Sequence, residues 1–314
     1  MKKLYESIEA LPEVFTTIGA TEAINDAFDS FKCFINITAN ILSSEPQCKK
    51  LHDEFWYLHS ALSYYDYDAA MLLRHSLLSA FTSYYSTAYS ELRASIESII
   101  RGLVFDLLAI PNFRNNAKEL TKIEGHRGAS GFPELLTTLN KELKDSRPKS
   151  SAKIFDIIDS KLKDFNPQSA FTRLILQLKT WNIIGNEEFK ELLSYYEELS
   201  KYSHRPHPKF SDVGIRVTAD KDWLELEPVP EELFIFLARF ADINGWFTYL
   251  ILKAYNIDLA DSRYLKCVNW KAIKMLVPDI EELAKTYRSW QKVKEIINKI
   301  KTAYNSINRA QVAV

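Results

Sequence analysis

"STAYSELRASIESIIRGLVFDLLAI", residues 86–110, decides the fold class. Stepping about 100° per residue, Ile96, Ile99, Ile100, Leu103, Val104, Leu107 and Leu108 fall on one arc, the pattern of an amphipathic helix. The opposite side is made of small residues: Ala94, Ser95, Ser98 and Gly102. Outward from this segment the same i, i+3, i+4 spacing recurs. Only 8 glycines and 11 prolines punctuate 314 residues, so the chain has few points at which a helix must stop. The spacing predicts helices over 3–18, 21–43, 47–63, 66–83, 86–110, 114–124, 132–145, 150–163, 168–183, 187–204, 230–256, 261–275 and 279–308.

Several starts carry a physical signal. Pro167 after Asn166, Pro230 and Pro278 each suit the first helical position, where a missing N–H costs nothing. Asn186 suits an N-cap ahead of Glu187 and Glu188, whose charges favour the positive helix end. Two stretches break the pattern. "KIEGHRGASGFP", residues 122–133, holds three of the glycines and reads as a loop. In "SDVGIRVTADKDWLELEP", residues 211–228, Val213, Ile215 and Val217 alternate, "TADKD" can turn, and Leu224 and Leu226 alternate back. The expected architecture is all-α: a multi-helix bundle with one small β-hairpin near 211–228. Its parts are an N-terminal helical region (1–110), a second half of the bundle (111–210), the hairpin, and C-terminal helices (229–314) packed on the bundle as one large domain.

Forty basic against 41 acidic residues leave a net charge of -1, so binding to nucleic acid or anionic lipid would need a local basic patch. Cys33, Cys48 and Cys267 are scattered, which suggests a reducing compartment and no zinc site. Glu6, Glu9 and Glu13 stand where a signal peptide would need an apolar run. "SIIRGLVFDLLAIP", residues 98–111, is broken by Arg101 and Asp106, so no membrane span is expected. A cytoplasmic location, no metal and no cofactor are the corresponding expectations.

The candidate site begins with charges on the wrong face. Arg93 falls between Ile100 and Val104 in the apolar arc, Glu97 between Val104 and Leu108, and Arg101 on its edge. A buried charge must be paired, and residues four apart can meet. Two readings stand: a face that holds an anion on Arg93 with Glu97 orienting it, or an ion pair that ties two helices together. A second stretch, "YYEELSKYSHRPHP" (195–208), continues the stripe Phe189, Leu192, Leu193, Tyr196, Leu199 into Ser200, Ser203 and His204. Ser200 and His204 are four apart, and Pro206 ends the helix at Arg205. His204 reads either as a general acid or base or cationic anchor, or as a helix-terminal histidine serving free carbonyls. Lys201 and Arg205 add positive charge beside it. His52 and His59 lack the spacing of zinc ligands on one helix, Arg74 and His75 have no partner visible in the sequence, and "GHRGASG" (125–131) lacks the spacing and preceding strand of a P-loop. The C-terminal helix concentrates Lys285, Arg288, Lys292, Lys294, Lys299, Lys301 and Arg309, and could lie along phosphates or a partner as well as present a solvated face.

The segments "YYSTAYSELRASIESIIRGL", with A-x-x-x-x-R-x-x-x-E, and "YEELSKYSHRP", with Y-x-x-L-S-x-x-x-H, resemble those of the HEPN (higher eukaryotes and prokaryotes nucleotide-binding) helical proteins of uncharacterised function. The resemblance covers about a third of the chain. It implies a pairing of Arg93 and Glu97 with Tyr196, Ser200 and His204 across two packed helices. HEPN nucleases carry an arginine followed, after four to six residues, by a histidine, and no arginine here has a histidine at that distance. The expectation is a module that binds a nucleotide, a nucleic acid or a partner, with Arg93, Arg101, Tyr196, Lys201 and Arg205 as binding residues. The first alternative is a metal-independent RNase of a toxin or antiviral defence system, acting as a homodimer through His204, Arg93, Glu97 and Ser200. The second is a scaffolding protein that uses the basic C-terminal helix.

Overall fold

The computed structural model describes residues 2–42, 49–109, 111–123, 131–145, 167–204, 229–259 and 270–312. Among these the protein is all-α, with eleven α-helices, one 3-10 turn and no strand. The hairpin expected near 211–228 and the helix expected over 150–163 lie outside the described residues. The helices are α1 (Lys2–Thr17), α2 (Thr21–Leu42), α3 (Lys49–Phe81), α4 (Tyr85–Ala109), α5 (Pro111–Asn115), α6 (Phe132–Asp145), α7 (Pro167–Thr180), α8 (Asn186–His204), α9 (Pro230–Leu259), α10 (Trp270–Thr286) and α11 (Arg288–Val312).

Two neighbourhoods share one core. In the first, α2, α9, α11 and α10 pack in a ring, each on the next. Phe31 meets Phe240 and Phe34 meets Phe247, so α2 and α9 run parallel. Lys32 bonds Asp279 and Tyr287 bonds Asp26, so α10 runs antiparallel to α2. In the second, α4 packs most extensively on α3 and also on α8 and α7. The bonds Ser98–Asp68 and Ser79–Glu91 set α3 and α4 antiparallel. Helix α9 joins the two, because Tyr89 of α4 meets Phe236 edge to face.

The small side of α4 is buried rather than exposed. Ser95, Ser98 and Gly102 face α3, and a Cβ on Gly102 would lie 3.0 Å from Tyr65 Cβ and 3.2 Å from Leu62 Cα. Small residues let the backbones approach, so α4 is enclosed on both sides. The most apolar long helix is α9, not α4: Pro230–Ala254 has a mean hydropathy of 1.2 and is long and apolar enough to cross a membrane, yet 83% of its apolar window is buried inside the bundle.

Three helix boundaries differ from expectation. The helices expected over 47–63 and 66–83 are one, α3. Neither proline nor glycine interrupts that stretch, and Asp68 spends its carboxylate on Ser98 rather than on its own backbone. The helix expected over 114–124 is replaced by α5 and the 3-10 turn Leu120–Lys122, where Gln177 accepts the Glu119 N–H and donates to the Asn116 carbonyl. Pro278 lies inside α10 and does not start a helix. Buried Ile273, Leu276, Ile280 and Leu283 on both sides hold α10 against its neighbours despite the lost backbone bond. The break falls instead at Tyr287, after which the N–H and hydroxyl of Ser289 both donate to Asp242.

Candidate functional site

Helix α4 supplies Arg93, Glu97 and Arg101 as an i, i+4, i+8 row, and α8 supplies Tyr196 opposite them. Arg93 Nη2 donates to Glu97 Oε1 at 3.2 Å and to the Tyr196 hydroxyl at 2.8 Å. The same hydroxyl donates to Glu97 Oε1 at 2.8 Å. Arg101 Nη2 reaches the other carboxylate oxygen, Oε2, at 3.4 Å. Tyr196 stacks on Phe171 of α7, with ring centroids 3.7 Å apart, and the Arg93 guanidinium lies 4.8 Å from the Tyr196 ring centre. Three helices therefore fix one phenol. Burial raises the Tyr196 phenol above its ordinary value; the bond from Arg93 opposes this and the Glu97 charge adds to it, so the hydroxyl acts as a neutral donor.

Among the described residues, two guanidiniums share one carboxylate and a neutral phenol, a surplus of one positive charge. Exposure is graded along the row: the side chains of Arg93 and Glu97 are 12% and 15% exposed, that of Arg101 29%. Arg93 is the inner, committed member. Arg101 is the outer one, held by a single long contact and turned towards solvent.

The other expected residues divide clearly. Ser200 donates its hydroxyl to the Tyr196 carbonyl at 2.6 Å, which buttresses the turn carrying the phenol. His204 is the last residue of α8, and its side chain lies outside the described residues, as does Arg205. Lys201 is exposed and sits about 140° around α8 from Tyr196, away from the cluster. The side chains of His52 and His59 also lie outside the described residues, and Arg74 and His75 are exposed.

A second polar network went unread in the sequence. It seats α8 against α9 and α11. Glu188 accepts from the Gly185 N–H at 2.6 Å, from the Tyr249 hydroxyl and from Lys292 at 3.1 Å. The cap of α8 is therefore Gly185, closed by the Glu188 carboxylate, one residue earlier than Asn186, the N-cap expected from the sequence. Burial works to raise the Glu188 carboxyl, but these three donors outweigh it and hold it below its ordinary value. Seven residues on, Tyr195 donates to Asp242, which also takes the Ser289 N–H and hydroxyl. The signal was available: Asp242 and Asn244 are polar residues inside the most apolar helix, the same anomaly that drew attention to Arg93.

Among the described residues the fold and the cluster define a class: an all-α bundle with a part-buried cluster of two guanidiniums, one carboxylate and one phenol. Compared with protein-family models, curated proteins and solved structures, the chain matches none.

Proposed function

We propose that this chain is a nucleotide-binding helical module whose Arg93–Glu97–Arg101–Tyr196 cluster takes a phosphate group of the ligand. The observation that carries the reading is the charge count at the cluster, with the surplus guanidinium on its solvent side. A guanidinium presents a planar fork of donors that matches two phosphate oxygens. Arg101 spends one donor on Glu97 at 3.4 Å and keeps others for a ligand. Arg93 and Tyr196 lock the Glu97 carboxylate, so Arg101 is held in place without being neutralised outright. The resemblance of residues 84–103 and 196–206 to HEPN proteins supports a nucleotide over a simple anion.

The nuclease alternative would need a histidine beside Arg93, and the side chain of its candidate, His204, lies outside the described residues. What favours the binding reading is the sequence, in which no arginine is followed by a histidine at the spacing of the HEPN nucleases.

The test is thermal unfolding with adenosine and guanosine and their mono-, di- and triphosphates. Triphosphates should raise the melting temperature of the wild type and leave Arg101→Gln unmoved, while nucleosides should do nothing to either. Protection by nucleosides equal to that by triphosphates, or no protection by any of them, would overturn the reading.

A further inference from the structure

We infer that the outer face of α3 is the surface through which two copies of this chain associate, packed antiparallel with Arg74 of each protomer against the partner's Tyr67. This inference does not depend on the Arg101 site.

Helix α3 carries apolar residues on two sides. Leu62, Ala69, Leu73, Leu77 and Ala80 are buried against the bundle. On the outer side stand Tyr67, Met71, Arg74, Leu78 and Phe81, spaced by four, three, four and three residues. At 100° per residue these fall within an arc of about 80°, and the alternation of four and three is the repeat of a seam that takes another helix. Tyr67 is 70% exposed and Leu78 62%, Arg74 is exposed and Met71 half-buried. Phe81 closes the seam at one end, its ring centre 5.0 Å from that of Phe15 of α1 and 6.4 Å from that of Phe28 of α2. The described helices packed on α3 are α2, α4 and α9, and they leave Tyr67 and Leu78 open.

The charge in the seam decides the occupant. Arg74 is the seam's one charged residue, and it makes no ion pair among the described residues. A wholly apolar helix laid over it would desolvate the guanidinium and return nothing. A second copy supplies the counterpart. Tyr67 and Arg74 stand equally far on either side of Ala70 and Met71, so a two-fold axis crossing there brings each guanidinium to the partner's phenol ring, a cation–π contact made twice. The small side chain of Ala70 beside the axis lets the two helices approach. Parallel packing would instead set Arg74 against the partner's Arg74, a like-charge contact that opposes it. The seam is thus self-complementary in the antiparallel sense alone.

The test is sedimentation equilibrium of the full chain between about 1 and 100 μM, the range that suits a small interface. The wild type should pass from the monomer mass of 36.3 kDa towards twice that mass. Arg74→Glu removes both cation–π contacts and should weaken association about tenfold. In Tyr67→Lys/Arg74→Glu the same antiparallel positions form two ion pairs, so association should return, whereas a parallel pair would repel. Met275→Gln, at an exposed apolar residue of α10, should change nothing. The substituted side chains are exposed, and equal melting temperatures at the lowest concentration would verify intact folds. A monomer at the highest concentration, association that Arg74→Glu leaves unchanged, or a double variant that stays monomeric would overturn the proposal.

Discussion

At the scale of the residue, two carboxylates behave in opposite ways. Glu97 is surrounded by donors: Arg93 and Tyr196 on one oxygen and Arg101 on the other. Glu97→Gln leaves two guanidiniums close together without their shared counter-charge, and should lower unfolding free energy by about 1–3 kcal/mol, measured by urea denaturation. A variant as stable as the wild type would mean that the cluster holds nothing together. Asp66 is the reverse case. Its Oδ1 is buried with no hydrogen-bond partner, and burial pushes the carboxyl up to about 7. The folded state thus keeps a proton that the unfolded chain releases near pH 4. Stability attributable to Asp66 is full below about pH 4, declines as pH rises towards 7, and is lowest above it. Asp66→Asn should accordingly stabilise the protein at pH 8 by roughly 4 kcal/mol and have little effect at pH 4. A pH-independent difference between the two proteins would contradict this assignment. Arg93 and Glu97 were legible in the sequence because a charge on an apolar arc demands a partner. Asp66 was not legible, because its burial comes from the packing of α3 against its neighbours and not from a pattern within α3 itself.

At the scale of the element, helix content was legible and helix ends were less so. The scarcity of glycine and proline gave long helices, but Pro278 was read as a start when it lies inside α10. What decides there is tertiary: the side chains flanking Pro278 are buried against other helices, and Asp242 of α9 takes the Ser289 groups at the start of α11. The cap of α8 was missed by one residue for a related reason, since Glu188 serves the Gly185 N–H, Tyr249 and Lys292 at once. Contact between α9 and α11 depends on the absence of a side chain. A Cβ on Gly245 would fall 2.1 Å from Ser289 Oγ and 2.9 Å from Trp290 Cδ1. Gly245→Ala should therefore cost about 1–3 kcal/mol by overpacking, despite the better helix propensity of alanine. A gain in stability on denaturation would show that α9 and α11 are not seated as described.

At the scale of the whole molecule, two parts of the chain far apart in sequence are brought to one point. Residues 93–101 and Tyr196 meet because α4 and α8 pack antiparallel, while the network of Glu188 and Asp242 seats α8 on α9 and α11. The graded exposure from Arg93 to Arg101 belongs to this arrangement and to neither helix alone. The row was visible in the sequence, and so was the edge position of Arg101; that Tyr196 would share the Glu97 carboxylate with Arg93 by direct hydrogen bonds was not legible from helix periodicity. The central claim is that Arg101 carries the surplus charge to a ligand phosphate. Isothermal titration of ATP into the wild type and Arg101→Ala at low ionic strength tests it most directly. The account predicts one site per chain in the wild type and at least about tenfold weaker binding in the variant, or about 1.4 kcal/mol. Equal affinity for the two proteins, or no binding by either, would contradict it.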